Sequence, residues 1–313
     1  MNDAIGTVMI RDVTLREGMD VPGVEFSIPD RLKIARALSS AGVPEIEIVA
    51  PAKVREDSEF ARICLEEGGR LKSRTSGLVY AANPEYREEI QLLSGILDRL
   101  DILMPLSPQR KPFSQEEKRD RMLEVLEYTL SEHPTVGMGF PHALYADPDF
   151  LLEACREAES GGASRIIIFD TDGSSNPFSI FQVLESVREA VNCELFFHAH
   201  NDLGLATANS LAAVMAGVDG LDVTVNGLGD RAGNASLEQV LLNLVIMKFE
   251  TGIDSKKLKN LSTLVENLSG VSVHPLAPVL GEYVFTHISP GHHGITGLFE
   301  AFKPELLEDG EGD

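Results

Sequence analysis

Residues 194–226 read ELFFHAHNDLGLATANSLAAVMAGVDGLDVTVN. The apolar run at 194–200 has the composition of a buried strand, and the stretch at 203–216 has helical spacing. Residues 221–226 are strand-like again. A strand, a helix and a second strand at this spacing are typical of parallel strands joined by a crossover helix.

The same alternation runs through most of the chain. Strand-like runs occur at 8–15, 45–50, 76–81, 100–106, 135–140, 165–170, 194–200 and 221–226. Helix-like segments occur at 30–40, 55–68, 84–95, 115–132, 148–160, 177–191, 203–216 and 235–249. Eight such units over about 240 residues predict an α/β fold, a (β/α)8 TIM barrel. A doubly wound sheet is the alternative, but it favours a GxGxxG turn after the first strand, and that turn is absent.

The predicted barrel sets the domain organisation. We assign residues 1–251 to a catalytic barrel and residues 252–313 to a C-terminal subdomain with a short α-rich extension and an acidic tail. Asn234 precedes the last barrel helix as a candidate N-cap, and the pairs AspPro at 147–148 and AsnPro at 176–177 indicate helix starts.

Composition and charge narrow the class of protein. The chain has 313 residues, with 27 Lys and Arg against 49 Asp and Glu, a net charge of −22. Such a charge repels nucleic acids and anionic membranes, so we expect neither as a partner. Three dispersed cysteines form no CxxC pair, which suits a reducing compartment. Without a signal-peptide pattern or a long apolar run, we expect a cytoplasmic protein.

Chemistry in such a barrel lies at the C-terminal ends of the strands. His198 and His200 are two residues apart on the seventh strand, so both side chains point to one site. Glu17 follows the first strand and Asn234 the eighth, and these four residues together would suit Mg²⁺, Mn²⁺ or Zn²⁺. The structural alternatives are a buried histidine beside an exposed one, an Arg16–Glu17 surface pair, and a turn with a helix cap.

Other polar residues extend this candidate site. Arg16 offers a fork of donors for a carboxylate or a developing oxyanion. Thr171, after the sixth strand, is able to hydrogen-bond a substrate carboxylate. Near the C-terminus, His287, His292 and His293 are candidates for acid–base chemistry or anion binding, against the alternative of a solvated loop.

Three motifs carry a family resemblance: DVTLREG at 12–18, HAHNDLGLATANS at 198–210 and GLGDRAGNASLE at 227–238. DTDG at 170–173 and FTH at 285–287 add weaker support. The chain resembles the acyl-CoA-dependent isopropylmalate, homocitrate and citramalate synthases, in the metal-dependent barrel superfamily that includes hydroxymethylglutaryl-CoA lyase.

The resemblance implies a mechanism and an assembly. A divalent metal held by Glu17, His198, His200 and Asn234 would chelate a 2-oxo acid, Arg16 would stabilise the oxyanion, and Thr171 would bind the substrate carboxylate. An acyl-CoA, usually acetyl-CoA, would lose an α-proton, attack the carbonyl and then be hydrolysed to release CoA. Family members form homodimers in which the C-terminal segment reaches the partner's site. There the acid/base histidine would be His292, or His293 with one inserted residue.

The chain departs from the family pattern around the substrate. Pro141 and His142 replace an acidic pair after the fifth strand, Met19 and Asp20 replace GluGln, and Tyr80 stands near an expected arginine. We therefore predict that Tyr80, Arg110 and His142 help to bind the substrate. Two further candidates for the pocket lining are Glu47 and Tyr145. A leucine-sensing regulatory domain is expected to be absent.

Three functions remain open at this stage. The first is a Claisen-type condensation of an acyl-CoA with a 2-oxo acid. The second is a C–C bond lyase or aldolase on the same metal site, which the altered residues after the first and fifth strands favour. The third is a barrel that binds metal and ligand without turnover.

Overall fold

A computed structural model describes residues 4–51, 53–66, 71–108, 113–289 and 300–307. Eight parallel strands close into a barrel, each paired with the next and the first paired with the last. The predicted (β/α)8 architecture is therefore confirmed. The strands are β1 (Met9–Asp12), β2 (Glu45–Val49), β3 (Arg74–Tyr80), β4 (Arg99–Leu103), β5 (Val136–Phe140), β6 (Arg165–Asp170), β7 (Glu194–Ala199) and β8 (Gly220–Val223).

Helices cover the outside of the barrel and bury their apolar faces against the strands. Asp147 and Asn176 cap helices that begin with proline, as their sequence pairs predict. The helices are α1 (Ile28–Ala41), α2 (Val54–Glu66), α3 (Tyr86–Leu93), α4 (Gln115–Glu132), α5 (Pro148–Ser160), α6 (Pro177–Ala190), α7 (Ala206–Met215), α8 (Leu237–Ile246) and α9 (Leu258–Ser269). None of these described helices has the length and apolar character that a membrane crossing requires.

The first strand is shorter than the sequence pattern predicts. It ends at Asp12, and Thr14–Glu17 form a short helical turn instead of continuing the strand. The backbone N–H groups of Arg16 and Glu17 both donate to the Val13 carbonyl, which closes the turn. This turn faces the barrel mouth and carries two of the predicted site residues.

The expected cap of the last barrel helix is wrong. Ser236 caps α8 by accepting a hydrogen bond from the Gln239 backbone N–H, and the helix begins at Leu237. Asn234 is not available as a cap because its side chain points to His198 in the barrel. The eighth strand also ends early, at Val223, and residues Val225–Gly227 form a 3-10 turn.

The barrel interior combines a small apolar cluster with buried charges. The apolar cluster consists of Leu78, Leu103, Ile167, Phe169 and Phe196. The charges include Arg11 and Asp101, both fully buried. Gly137 on β5 leaves room for them, since a Cβ there would overlap the Asp101 carboxylate. The strand residues therefore make a polar core directly below the mouth.

Beyond the barrel, α9 packs against α1 and the turn Val225–Gly227. Its buried side chains, Leu258, Leu261 and Val265, join the main hydrophobic core. The division into residues 1–251 and 252–313 stays a prediction.

Candidate metal centre and active site

Three predicted metal ligands converge at the C-terminal mouth of the barrel. Glu17, His198 and His200 are all buried, and one ligand atom from each lies within 4.8 Å of the others. The two Nε2 atoms of the histidines are 3.3 Å apart. Glu17 Oε1 lies 3.6 Å from the first and 4.0 Å from the second. The spacing on β7 thus directs both imidazoles to one point, as the sequence predicts.

Asn234 completes the cluster. It is buried, and its Nδ2 donates to His198 Nε2 over 3.0 Å. Its Oδ1 is buried without a hydrogen-bond partner, a costly state for an amide oxygen. Gly229 approaches this oxygen so closely that a Cβ would overlap it. The unpaired Oδ1 and the close approach of Gly229 are what we expect if Asn234 is a metal ligand rather than a structural amide.

The tautomer of His198 follows from its neighbour. Its Nδ1 lies 3.0 Å from Oδ2 of Asp222. An ionised carboxylate only accepts hydrogen bonds, so Nδ1 carries the proton and Nε2 keeps its lone pair. Burial raises the pKa of Asp222, but the charge of Arg11 and the hydrogen bonds from His198 and Arg11 together outweigh this effect and hold the pKa well below its usual value.

The other two candidate ligands are also held in metal-binding protonation states. Burial, reinforced by His198, lowers the pKa of His200 to about 3, so its imidazole is neutral. For Glu17, burial alone would raise the pKa, but the charge and hydrogen bond of Arg16 together with the two neighbouring histidines outweigh it, and the pKa falls below the usual value. An ionised carboxylate and neutral imidazoles are the forms that ligate divalent metals.

Arg16 lies beside the cluster with one donor unused. Its Nε donates to Glu47 Oε1 over 2.6 Å, and its Nη1 pairs with Glu17. Its Nη2 is buried without a partner. Glu47 therefore fixes the guanidinium plane while an N–H group stays available to a bound oxyanion.

The protein buries many charges in one connected network around and below the site. The buried carboxylates of this network outnumber its buried guanidinium groups by one; they are Glu17, Glu45, Glu47, Asp101 and Asp222 against Arg11, Arg16, Arg99 and Arg165. Burial raises the pKa of Glu47 despite its arginine neighbours. The donors at the mouth are one carboxylate, two imidazoles and one unpaired amide oxygen, a set that suits divalent metals. The residues present therefore fit a divalent metal.

The loops around the mouth are joined by hydrogen bonds. Thr171 Oγ1 accepts from the His142 backbone N–H over 2.8 Å, which ties the loop after β6 to the loop after β5. Arg231 Nη2 donates to the Thr171 carbonyl over 2.8 Å, and the same guanidinium binds both carboxylate oxygens of Asp202. The loops after β5, β6, β7 and β8 are thus joined in one hydrogen-bond network. His142 and Arg231 both have positive φ, which is uncommon for non-glycine residues.

The remaining predicted residues differ in position. Tyr80, at the end of β3, is 39% exposed, on the same strand face as the interior Leu78. Arg110, His292 and His293 lie outside the described residues. His287 is described: its Nε2 lies 3.1 Å from Oε1 of Glu300, within the C-terminal segment. The structure thus brings the metal-ligand set and Arg16 together, with Thr171 and His142 joined beside them.

A family model described as HMGL-like matches residues 7–265. The chain belongs to the HMGL-like family. This match covers the whole barrel and most of α9, so the family assignment agrees with the observed fold.

Curated relatives of this HMGL-like chain include synthases with two different names. It is 36% identical over 96% of its length to a probable 2-isopropylmalate synthase from Methanopyrus kandleri, of which it covers 61%. It is 34% identical over 95% of its length to homocitrate synthase 1 from a Nostoc species, of which it covers 80%. The chain thus spans less than two thirds of the first of these relatives.

Among solved structures, a hydroxymethylglutaryl-CoA lyase from Pseudomonas aeruginosa has the same fold. The TM-score is 0.72 at 23% identity, over 85% of this chain and 94% of that one. At this identity the likeness concerns the fold alone.

Several residues of this HMGL-like site were not predicted from the sequence. Asp222 and Arg11 are charged residues within buried strands. A charge in an otherwise apolar strand is unusual, and this was the sequence signal that could have identified them. Arg231 lies inside the quoted GDRAG motif, yet its partners Asp202 and Thr171 come from other loops. Pairings of this kind depend on strand order around the barrel, which no local pattern reports.

Proposed function

We propose that this chain catalyses a metal-dependent, Claisen-type condensation of an acyl-CoA, first of all acetyl-CoA, with a 2-oxo acid. One water hydrolyses the thioester of the adduct, so the products would be CoA and a 2-hydroxy-2-substituted diacid. One observation carries the proposal: an O/N ligand cluster lies beside an arginine with an unused donor at a barrel mouth. The names of the curated relatives support the same reaction class.

In this proposal Glu17, His198, His200 and Asn234 hold the metal. When bound, a divalent ion there supplies Lewis-acid polarisation of the carbonyl of the 2-oxo acid. The neutral imidazole of His200 and the ionised carboxylate of Glu17 are in the protonation states that this role requires.

Arg16 and Thr171 act on the substrate. Nη2 of Arg16, already buried and unpaired, donates to the oxygen that gains charge as the new C–C bond forms. The guanidinium does not need to reorient, because Glu47 holds Nε. Thr171 donates its hydroxyl hydrogen to the substrate carboxylate while its oxygen keeps the contact with the His142 N–H. We further propose, from the sequence, that Tyr80, Arg110 and His142 help to select the 2-oxo acid.

The proton transfers need a further group. After β5 the chain has Pro141 and His142 rather than an acidic pair. We assign the acid–base role to His292, acting across a homodimer from the partner's C-terminal segment. Analytical ultracentrifugation tests the dimer, and a monomer at assay concentration would contradict this assignment.

The deciding experiment measures thiol release from acetyl-CoA. The protein is incubated with Mg²⁺ or Mn²⁺ and one of pyruvate, 2-oxoisovalerate, 2-oxoglutarate, oxaloacetate or phosphonopyruvate. We expect release that requires both the metal and one 2-oxo acid, and that Arg16→Ala abolishes. Thiol release that does not depend on a 2-oxo acid, or no release across the panel with metal bound, would contradict the proposal. The second outcome would favour a lyase.

The metal assignment has its own test. His198→Ala and His200→Ala are expected to lose tight divalent-metal binding, because each removes a neutral nitrogen ligand. His274→Ala, an exposed histidine far from the cluster in the sequence, is the matched control. Metal content is measured after gel filtration, and unchanged content in the two site variants would refute the assignment.

A further inference from the structure

We propose that Asp222 is a positioning residue for the metal centre: it sets the tautomer of His198 and directs its Nε2, and Arg11 holds Asp222 in place. The inference rests on the proposed metal site. It assigns a role to two residues of the barrel interior that do not themselves contact a substrate in the mechanism above.

Strand register places the two residues side by side. His198 on β7 is the register partner of Asp222 on β8, so both side chains point into the barrel at the same level. Asp222 Oδ2 lies 3.0 Å from Nδ1 of His198. Both residues are at most 1% exposed. In the described structure, no other acceptor contacts this Nδ1.

Arg11 leaves the carboxylate little freedom to rotate. Its Nε and Nη2 each donate over 2.7 Å to the two oxygens of Asp222, in a bidentate pair. Its Nη1 is held in turn by Asp101, at 2.5 Å, and by Glu47, at 3.1 Å. Rotating the Asp222 carboxylate would break a buried charged contact, so its Oδ2 stays directed at His198.

The consequence is a fixed lone pair. A carboxylate that accepts from Nδ1 holds the proton on that nitrogen, which leaves Nε2 as the acceptor facing Glu17 and His200. Without this partner only the Asn234 N–H group would favour the Nδ1–H form, while Glu17 Oε1, 3.6 Å from Nε2, would favour the Nε2–H form. The Nε2–H form cannot bind a metal through Nε2.

A purely structural role makes a different prediction. If Asp222 served only to neutralise Arg11, then Asp101 would be equivalent to it, because Asp101 also pairs with Arg11 and is fully buried. Asp101 has no contact with a candidate metal ligand among the described contacts. Asp222→Asn and Asp101→Asn therefore form a matched pair: each removes one buried negative charge next to the same guanidinium.

The experiment uses the full chain, metal-free and then titrated with Mn²⁺ or Zn²⁺. Long-range ¹H–¹⁵N spectra of the metal-free protein report which ring nitrogen of His198 carries the proton, and calorimetry gives the metal Kd. We expect Nδ1–H in the unsubstituted protein and in Asp101→Asn. In Asp222→Asn we expect a shift towards Nε2–H and a Kd raised about 10- to 100-fold. For Asp101→Asn the Kd should change by less than about threefold.

Three results would overturn the inference: Nε2–H in the unsubstituted protein, an unchanged Kd in Asp222→Asn, or equal losses in both variants. The first needs no variant, so the inference stays testable even if Asp222→Asn does not fold. Failure of the proposed reaction would show as absent thiol release with these tautomers and affinities as expected. The two failures are therefore distinguishable.

Discussion

His200 and Asn234 pair as an antiparallel β-bridge at the barrel mouth. The bridge ties the end of β7 to the glycine-rich loop after β8 and sets the Asn234 amide beside His198 Nε2. A residue expected to cap a helix is thereby turned into the barrel. The site is thus built by backbone pairing between two loops as well as by the strand ends.

Replacing Gly229 with alanine tests this loop. The added Cβ would overlap Asn234 Oδ1, so the amide must move and metal affinity should fall by about tenfold or more. Gly6→Ala is the control, because a Cβ there makes ordinary contact with the Phe249 ring, outside the barrel. Calorimetric titration of both variants with Mn²⁺ checks the expectation. Equal affinities would show that Gly229 does not position Asn234.

Glu17→Gln should weaken both metal binding and activity. The change removes the one anionic ligand of the set and the partner of Arg16 Nη1. We expect the metal Kd to rise by about a hundredfold or more. Asp57→Asn, a buried change on helix α2 in the ion pair with Arg31, is the control. Wild-type rates and affinity in Glu17→Gln would instead favour a structural Arg16–Glu17 pair.

Arg231→Ala should weaken substrate binding while changing the stability of the fold only slightly. Loss of the guanidinium frees the Thr171 carbonyl and the Asp202 carboxylate, so KM for the 2-oxo acid should rise by about tenfold. The Arg231–Asp202 ion pair is partly exposed, so the free energy of unfolding should fall by only about 1 kcal/mol or less. Arg188→Ala is the matched control, since Arg188 also binds an aspartate and backbone carbonyls. A KM that rises equally in both variants would contradict this role.

Asp12 predicts a pH dependence of stability. Burial raises its pKa to about 7, so the folded state retains a proton that the unfolded chain loses near its usual value of 3.8. Between these values the folded state binds more protons, and its contribution to stability therefore falls as the pH rises, by up to about 4 kcal/mol. Asp12→Asn mimics the protonated group and keeps an acceptor for the Thr14 N–H.

Chemical denaturation of both proteins from pH 4 to pH 8 measures this effect. We expect the stability of Asp12→Asn, relative to the unsubstituted protein, to increase with pH across this window. Parallel stability curves would show that Asp12 is ionised in the folded state throughout.

The sequence alone was sufficient for the barrel and for most of the candidate metal-ligand set. Strand–helix alternation is a local pattern, and the HxH spacing places His198 and His200 on one strand face without any tertiary information. The sequence patterns were less reliable at the ends of strands and helices. Residues 14 and 15 fall within the predicted strand 8–15 but belong to a helical turn, because the Val13 carbonyl accepts from Arg16 and Glu17.

The tertiary structure decided how these residues are held. The pairs Asp222–His198 and Arg11–Asp222 depend on which strands are neighbours when β1 closes against β8. The Asn234 amide is directed by its bridge to His200 and by Gly229, rather than by its position before a helix. A local pattern reports which face a side chain occupies, because backbone geometry sets that face. The protonation state and orientation of that side chain depend on charged residues that lie far apart in the chain and come into contact only when the barrel closes.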